Sequence, residues 1–257
     1  LEKNENYWNK DAISLDRITY RFFDDTQSMA TAYETGEVDV ATSLPSSVME
    51  LYEGRDDLYV TDQIATRYIY FNLNVEPLDD VRVREAMNLA LDREELCTIV
   101  GTDTEPTYNL VAKYMTDRST GEYFVDGAEQ PFEENAEGAR ELLAEAGYPN
   151  AEGFPTLTYS YPTLEMDSDT AQVIQQQLKE TLNIDIQLNP QELQANYSAR
   201  HAGDFELCRM NWTADFADPY TYLSMLLSNS TYNCSGIHDE EYDSIVAQSD
   251  RETDPAK

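Results

Sequence analysis

The stretch RHAGDFELCRMNWTADFADPYTYLSMLL, residues 200–227, decides the expected fold because it joins a strand, a turn and a helix. Phe205 to Trp212 has bulky apolar residues on both faces, which predicts a buried strand. From Pro219 onward, apolar residues recur at helical spacing. The apolar side of that predicted helix consists of Tyr222, Leu223, Leu226 and Leu227. We expect the function to lie in the acidic turn between strand and helix, residues 213–218.

Two aspartates of this turn have different expected roles. Asp218-Pro219 is a typical helix start, since an Asp side chain caps free N–H groups and Pro fits the first turn. Asp215 has no such role, and it lies just past a strand end beside two aromatic residues. A carboxylate in that place is costly unless a cationic group meets it. Asp215 is therefore the first candidate for binding, and the alternative is an Asp that caps a turn.

The charge of the chain limits its partners. Its 257 residues include 17 basic and 50 acidic residues, which gives a net charge of −33. This length allows a large core in one large or two modest domains. The charge repels nucleic acid and anionic membrane surfaces, so we expect no nucleic-acid partner. Solvation of the surface explains most of the acidic residues, and the remaining long-range field favours cationic ligands modestly.

The sequence offers no metal or cofactor motif. Three cysteines are widely spaced, which predicts no disulfide framework, and together with two histidines they lack metal-site spacing. Motifs of serine hydrolases, phosphate-binding loops and zinc proteases are missing. We therefore expect no catalytic residue, metal ligand or cofactor. An acid pair of Asp215 and Asp218 leaves a carboxylate-dependent hydrolase as the alternative. No stretch approaches the roughly 20 apolar residues of a membrane span, and no signal peptide is visible.

Helical and strand patterns alternate, which predicts an α/β fold. Residues 1–62 indicate strand–helix–strand–helix, the unit of a parallel sheet, with strands at Ile18–Phe23 and from Val38. Residues 80–100 indicate one long helix, and residues 102–131 an ordered surface loop. The other predicted strands span residues 67–74, 157–161 and 184–188. The other predicted helices span residues 133–146, 168–182 (capped by Asp167 or Ser168), 192–200 and 239–249.

Several spaced motifs occur in one order along the chain. W-x-A-D-[FY]-x-[DE]-P spans residues 212–219, and R-H-x-G-x-[FY]-[DE]-hydrophobic-x-R precedes it at 200–209. The others are N-x-x-Y-W at 4–8, G-E-[IV]-D at 36–39, P-[FL]-x-D-x-R-V-R-x-A at 77–86 and A-x-x-L-L-x-E-A-G-[YF] at 139–148. In this order they closely resemble the oligopeptide- and dipeptide-binding proteins of ABC importers. The resemblance covers the whole chain.

The resemblance implies a fold and a function. The fold is α/β of the periplasmic-binding-protein type II class, with one lobe plus part of the other. Residues 1–62 belong to the N-terminal lobe and residues 63–257 to the ligand-binding C-terminal lobe, with further segments expected before and after. The implied protein is a monomer and not an enzyme. It captures short peptides between two lobes and delivers them to ABC permease subunits, as a cell-surface lipoprotein or a periplasmic protein. Alternative solutes in the same family are an oligosaccharide, a nickel chelate or haem.

The resemblance also implies ligand contacts at charged residues. Asp215 pairs with the α-ammonium of the peptide, where a charge-assisted contact in a closed cleft is strong. Arg209 meets the peptide carboxylate with its planar fork, or it pairs with an internal acid. Relatives use Arg200 and His201 for shorter peptides or keep them structural.

Four aromatic residues complete the implied site. Trp212 and Phe216 line the pocket or belong to the core. Tyr68 and Tyr70 lie on a strand edge that hydrogen-bonds the peptide backbone. Tyr70 stands where some relatives carry an acidic residue.

Overall fold

The computed structural model describes residues 1–23, 25–42, 44, 46–100, 104–117, 119–127 and 132–254. The chain divides into two compact units, Leu1–Val60 and Thr61–Lys257. This division lies beside the predicted boundary, and the assignment of the two units to two lobes stays a prediction.

The first unit is held together by two helices and one bridge. Helices α1 (Thr26–Glu34) and α2 (Ser46–Tyr52) form it, together with a 3₁₀ turn at Lys10–Ala12. Asp25 caps α1, since its carboxylate accepts the backbone N–H of Ser28 at 2.7 Å. A small cluster of Ala30, Val48 and Tyr52 forms the core of this unit.

The strands predicted in the first unit are wrong. Within the described part of residues 1–60, the backbone pairing is a single antiparallel bridge between Glu2 and Arg17. Alternating apolar residues form a strand only where a neighbouring strand pairs with them and a core covers one face. In this unit Phe22 is 94% exposed, so the apolar side chains of the predicted strand cover no core.

The second unit contains a four-stranded mixed sheet. Its strands are β1 (Ala65–Phe71), β2 (Leu157–Pro162), β3 (Ile186–Gln191) and β4 (Leu207–Thr213), in the order β1–β4–β2–β3. Strand β2 is parallel to β3 and β4, and β1 is antiparallel to β4. Two helical crossovers explain the parallel pairs, namely α6 (Glu165–Leu182) between β2 and β3 and α7 (Leu193–Ala202) between β3 and β4.

The main core lies between this sheet and three helices, α3 (Val81–Leu89), α5 (Ala136–Glu145) and α6. The apolar faces that periodicity predicts are confirmed, since Ala139 and Leu143 of α5 and Ile174 and Leu178 of α6 are buried. Asn135 begins α5 by accepting the N–H of Gly138 at 2.9 Å. Gly147 follows α5 at φ +102°, a conformation that glycine adopts readily.

The single helix predicted over residues 80–100 is two helices, α3 and α4 (Arg93–Val100). Asp92 lies between them and begins the second, because its carboxylate accepts the N–H of Glu95 at 2.9 Å. The N–H of Asp92 itself donates to Gln177 Oε1 of α6 at 3.0 Å. The apolar pattern of the sequence continues through Asp92. The helix nevertheless breaks there, because Asp92 caps a new helix and is hydrogen-bonded to α6.

A second, smaller core lies beneath the predicted functional turn. Helix α8 (Tyr220–Leu223) runs into a 3₁₀ turn at Ser224–Leu226, where one amphipathic helix is predicted. Tyr222 and Met225 are buried there against Val111, Ala112 and Met115. These three residues belong to the predicted surface loop, whose described part, residues 104–117 and 119–127, includes a 3₁₀ turn at Phe124–Gly127. Apolar side chains therefore fix the loop over the turn.

The chain ends its described part with helix α9 (Glu240–Ser249), which Asp239 caps through the N–H groups of Glu241 and Tyr242. Among the helices described, none is both long and apolar enough to cross a bilayer.

Candidate functional site

Strand β4 has an open edge near its C-terminal end. Strand β1 pairs with β4 along its whole length, whereas β2 pairs with it only at Leu207 and Cys208. In an antiparallel pair, every second residue directs its backbone N–H and C=O toward the partner strand. The N–H of Ala214 donates to Ile64 O at 2.8 Å, so the even-numbered residues of β4 are the ones that face β1. It follows that the backbone groups of Asn211 and Thr213 point away from β1. No strand of the described chain pairs with them.

The turn after this edge is held in place by one buried hydroxyl group, that of Thr221. Thr221 Oγ1 accepts the backbone N–H of Asp215 at 3.2 Å and the indole N–H of Trp212 at 3.3 Å. Thr221 itself is buried. The carboxylate of Asp215 is exposed, and in the described chain no cation or hydrogen-bond donor meets it. The structure thus fixes the backbone of Asp215 and leaves its carboxylate exposed and unpaired within the described chain.

Asp218 is structural, as predicted. Its Oδ1 accepts the backbone N–H of Tyr220 at 3.0 Å, at the start of α8. Because this carboxylate is engaged by its own backbone, the acid pair that a hydrolase requires loses one member.

The aromatic residues of the turn divide between core and surface. Trp212 is half-buried, belongs to the smaller core and packs edge-on against Tyr232 with ring centroids 4.9 Å apart. Phe216 is exposed beside Asp215. Of these two aromatic side chains, Phe216 is therefore the one exposed to solvent.

Tyr68 and Tyr70 lie on the same face of the sheet as Trp212. Their Cα partners in β4 are Met210 and Cys208, and their rings pack edge-on at 5.3 Å. Tyr70 is buried, and its hydroxyl donates to Tyr232 O at 3.0 Å. Burial raises the pKa of both phenols, so both stay neutral. Tyr70 is thereby occupied within the fold.

Arg200 and His201 lie in the last turn of α7. The guanidinium of Arg200 lies 5.3 Å from the centroid of the Tyr197 ring, and its buried Nε has no hydrogen-bond partner in the described chain. The His201 ring packs on the same tyrosine at 4.2 Å, with Nδ1 3.8 Å from Cys234 Sγ. Burial and the neighbouring Arg200 lower the pKa of His201, which favours the neutral imidazole.

Arg209 lies on the opposite face of the sheet, where it meets an internal acid. Its Nε is 2.8 Å from Asp167 Oδ1, and Arg67 Nη1 donates to the same oxygen at 3.2 Å. The side chain of Asp167 is only 2% exposed. The predicted role of Asp167 as a helix cap is wrong, because α6 begins at Glu165 and this carboxylate turns to the two arginines.

Sequence reasoning missed Asp167 and Arg67. An Asp before an amphipathic run is typical of an N-cap, and Arg67 precedes Asp167 by 100 positions. Only the pairing of β1 with β4 brings Arg67 to the face of Arg209. Across the described residues, no group of three metal-binding side chains occurs.

The comparisons with known proteins give the family of the chain. A family model described as bacterial extracellular solute-binding proteins, family 5 middle, matches residues 1–234. The chain belongs to this family. The predicted resemblance is thereby confirmed, and the matched range contains every predicted site residue.

This family 5 protein is similar to peptide-binding proteins of known sequence and structure. The dipeptide-binding protein DppE of Bacillus subtilis is 28% identical over 99% of the chain and 47% of the relative. A periplasmic oligopeptide-binding protein of Borrelia burgdorferi superposes with a TM-score of 0.86 at 32% identity, over 99% of the chain and 50% of that structure. OppA of Haemophilus influenzae, in complex with the peptide RPPGFSPFR, gives 0.82 at 27% identity over 99% and 50%.

These structures confirm the predicted α/β fold of the periplasmic-binding-protein type. The family 5 chain spans about half the length of the relatives it matches.

Proposed function

We propose that this protein is the solute-binding component of an ABC importer and that it captures short peptides. The observation that carries the proposal is the free carboxylate of Asp215 at the end of the open β4 edge. A peptide offers both complements, because its α-ammonium can pair with a carboxylate and its backbone can extend a sheet edge. Related proteins whose names state peptide binding support the same solute.

In this proposal the peptide backbone adds to β4 beside Asn211 and Thr213. The α-ammonium lies at Asp215, next to the exposed ring of Phe216, and the carboxyl end lies toward Arg209. Arg200, with no carboxylate at ion-pair distance in the described chain, is the alternative cation for peptides of another length. Contacts to backbone and termini leave the peptide side chains little constrained, which gives broad sequence acceptance.

The proposal includes the rest of the transport cycle. The ligand lies between two lobes, the lobes close around it, and the closed form docks on the permease subunits. The protein acts as a monomer and performs no chemistry on its ligand. It works outside the cytoplasm, either as a cell-surface lipoprotein or in the periplasm.

Substitution of Asp215 tests the peptide proposal. In the full-length protein, Asp215→Asn will weaken binding of trialanine by about 1.5–3 kcal/mol, the usual contribution of a hydrogen bond to a charged group. Calorimetric titration measures the change. Asp218→Asn is the matched control, because Asn also caps helices and the local charge falls equally. Equal affinities of the wild type and Asp215→Asn for trialanine would contradict the role of Asp215.

A thermal-shift screen separates peptides from the other solutes of such proteins. We expect a mixed short-peptide library to raise the unfolding midpoint of the full-length protein, because a ligand that binds only the folded state stabilises it. Oligosaccharides, nickel chelates and haem serve as the comparison set. Stabilisation by one of these and not by peptides would replace the proposed solute.

A further inference from the structure

The negative charge of this protein far exceeds what its own basic residues can compensate. The chain has 50 acidic and 17 basic residues, so a charge of −33 remains even if every base pairs with one acid. A net charge of about 2–8 in magnitude is enough to keep a small domain soluble. Asp167 is the one buried acid of the described chain. The excess charge therefore lies on the surface, where dissolved ions can reach it.

Helix α5 shows how closely these surface charges are spaced. Its exposed side carries Glu137, Glu141 and Glu145 at intervals of four residues. Side chains four residues apart on a helix are neighbours, and like charges at this spacing destabilise it. In the described chain no base lies at ion-pair distance from Glu141. The adjacent Arg140 donates instead to Thr181 O of α6 at 2.8 Å, so Glu141 faces two like charges without a partner.

The spacing of the charges determines how much salt is needed to screen them. Residues four apart on a helix have Cβ atoms about 5–6 Å apart. The Debye length is about 8 Å at physiological ionic strength and about 3 Å at 1 M. The repulsion along α5 therefore remains at physiological salt and is screened at molar salt. Exposed charges more than about 10 Å apart are largely screened near 0.1 M already, so neighbouring acids set the salt requirement.

We propose that this protein depends on molar salt for a stable fold, because only molar salt screens the neighbouring carboxylates of its surface. Self-repulsion of a large net charge destabilises the compact state. The dependence involves the acidic surface as a whole and no particular cation site. This inference goes beyond the proposed peptide function and does not rest on it. Molar salt also screens the long-range attraction of the surface for cationic ligands, so recognition then depends on contacts within the site.

Thermal unfolding of the full-length protein in potassium chloride tests the salt dependence. We expect the unfolding midpoint to rise by roughly 10 °C or more between physiological salt and about 2 M, because screening removes the self-repulsion of the compact state. A wild type that is already unfolded at physiological salt and folds as salt is added is the extreme form of the same result. An equal or lower midpoint at the higher salt concentration overturns the inference.

Two substitutions of Glu141 separate charge screening from other effects of salt on the folded state. Glu141→Gln removes the middle charge of the row on α5, and Glu141→Lys replaces two repulsions with two attractions. Gln, Lys and Glu have similar helix propensities, so the preference of the backbone stays the same. At the lowest salt at which the wild type folds, we expect the midpoint to rise by roughly 1–3 °C for Gln and about twice as much for Lys. At molar salt both gains will disappear.

Glu105→Gln is the matched control for Glu141→Gln. It removes the same charge from an exposed position, but Glu105 pairs with Lys113 at 2.6 Å. Because this substitution removes an attraction, the midpoint will not rise at low salt. Equal gains for Glu105→Gln and Glu141→Gln would overturn the inference, since long-range charge is screened well below 1 M. A gain for Glu141→Lys that persists undiminished at molar salt overturns it as well, because screening then plays no part.

Discussion

Asp167→Asn will lower the free energy of unfolding by about 3 kcal/mol, near the lower end for the loss of one member of a buried ion pair. Asp167 is almost fully buried between Arg67 and Arg209, and no other carboxylate of the described chain contacts these two arginines. Without the charge of Asp167, two guanidinium groups repel each other in a half-buried place. The expected loss is at the lower end because both arginines reach water. Urea unfolding of the full-length protein measures it.

Asp185→Asn is the matched control for Asp167→Asn. Asp185 pairs with Lys179 at 2.8 Å, but the side chains of both residues are exposed. Exposed pairs contribute at most about 1 kcal/mol, so this substitution will change the unfolding free energy little. Equal effects of the two substitutions would show that the Asp167 cluster is an ordinary surface pair.

Tyr222→Ala will lower the free energy of unfolding by about 3–5 kcal/mol and will also weaken peptide binding. Tyr222 is fully buried against Met115 and Met225, and its hydroxyl donates to Ile64 O at 2.9 Å. It directly follows Thr221, whose hydroxyl fastens the backbone of Asp215. A cavity at Tyr222 lets this backbone shift, so the carboxylate loses its fixed position.

Leu178→Ala separates the two effects of Tyr222→Ala. Leu178 is buried in the main core and not in the smaller core at the turn, and its loss will cost about 2–5 kcal/mol. Peptide affinity, measured where both variants are fully folded, will fall for Tyr222→Ala and not for Leu178→Ala. The same affinity for both variants would mean that the smaller core does not position Asp215.

Much of the second unit could be predicted because its determinants are local. The apolar faces of α5 and α6 follow from residue spacing, and Asp218 caps the start of α8 within a few residues of itself. The break at Asp92 was not predictable from periodicity, since the apolar pattern continues through it. A new helix begins there because Asp92 caps it, and Asp92 is itself bound to Gln177, a residue from a distant part of the chain.

Most charged contacts of the candidate site could not be predicted from local sequence, because they depend on the fold. Asp215 could be selected from its turn, but the neighbours of Arg209 could not. Local sequence assigns Asp167 to a helix cap, and a pairing across 100 positions assigns it to the arginines. The strands predicted in residues 1–62 are wrong because strands, too, depend on contacts with other segments of the chain. An alternating pattern expresses a preference, and a strand needs a neighbour to pair with.

The open part of the β4 edge is too short to act on its own as a template for fibrous aggregation. An uncovered sheet edge is a template for other chains, and stacked assemblies grow from segments of about six or seven residues. Here the outward backbone groups belong to Asn211 and Thr213, with an acidic turn directly after them. Copies of a chain with a net charge of −33 also repel each other. Two outward residues are too few to pair with a further sheet.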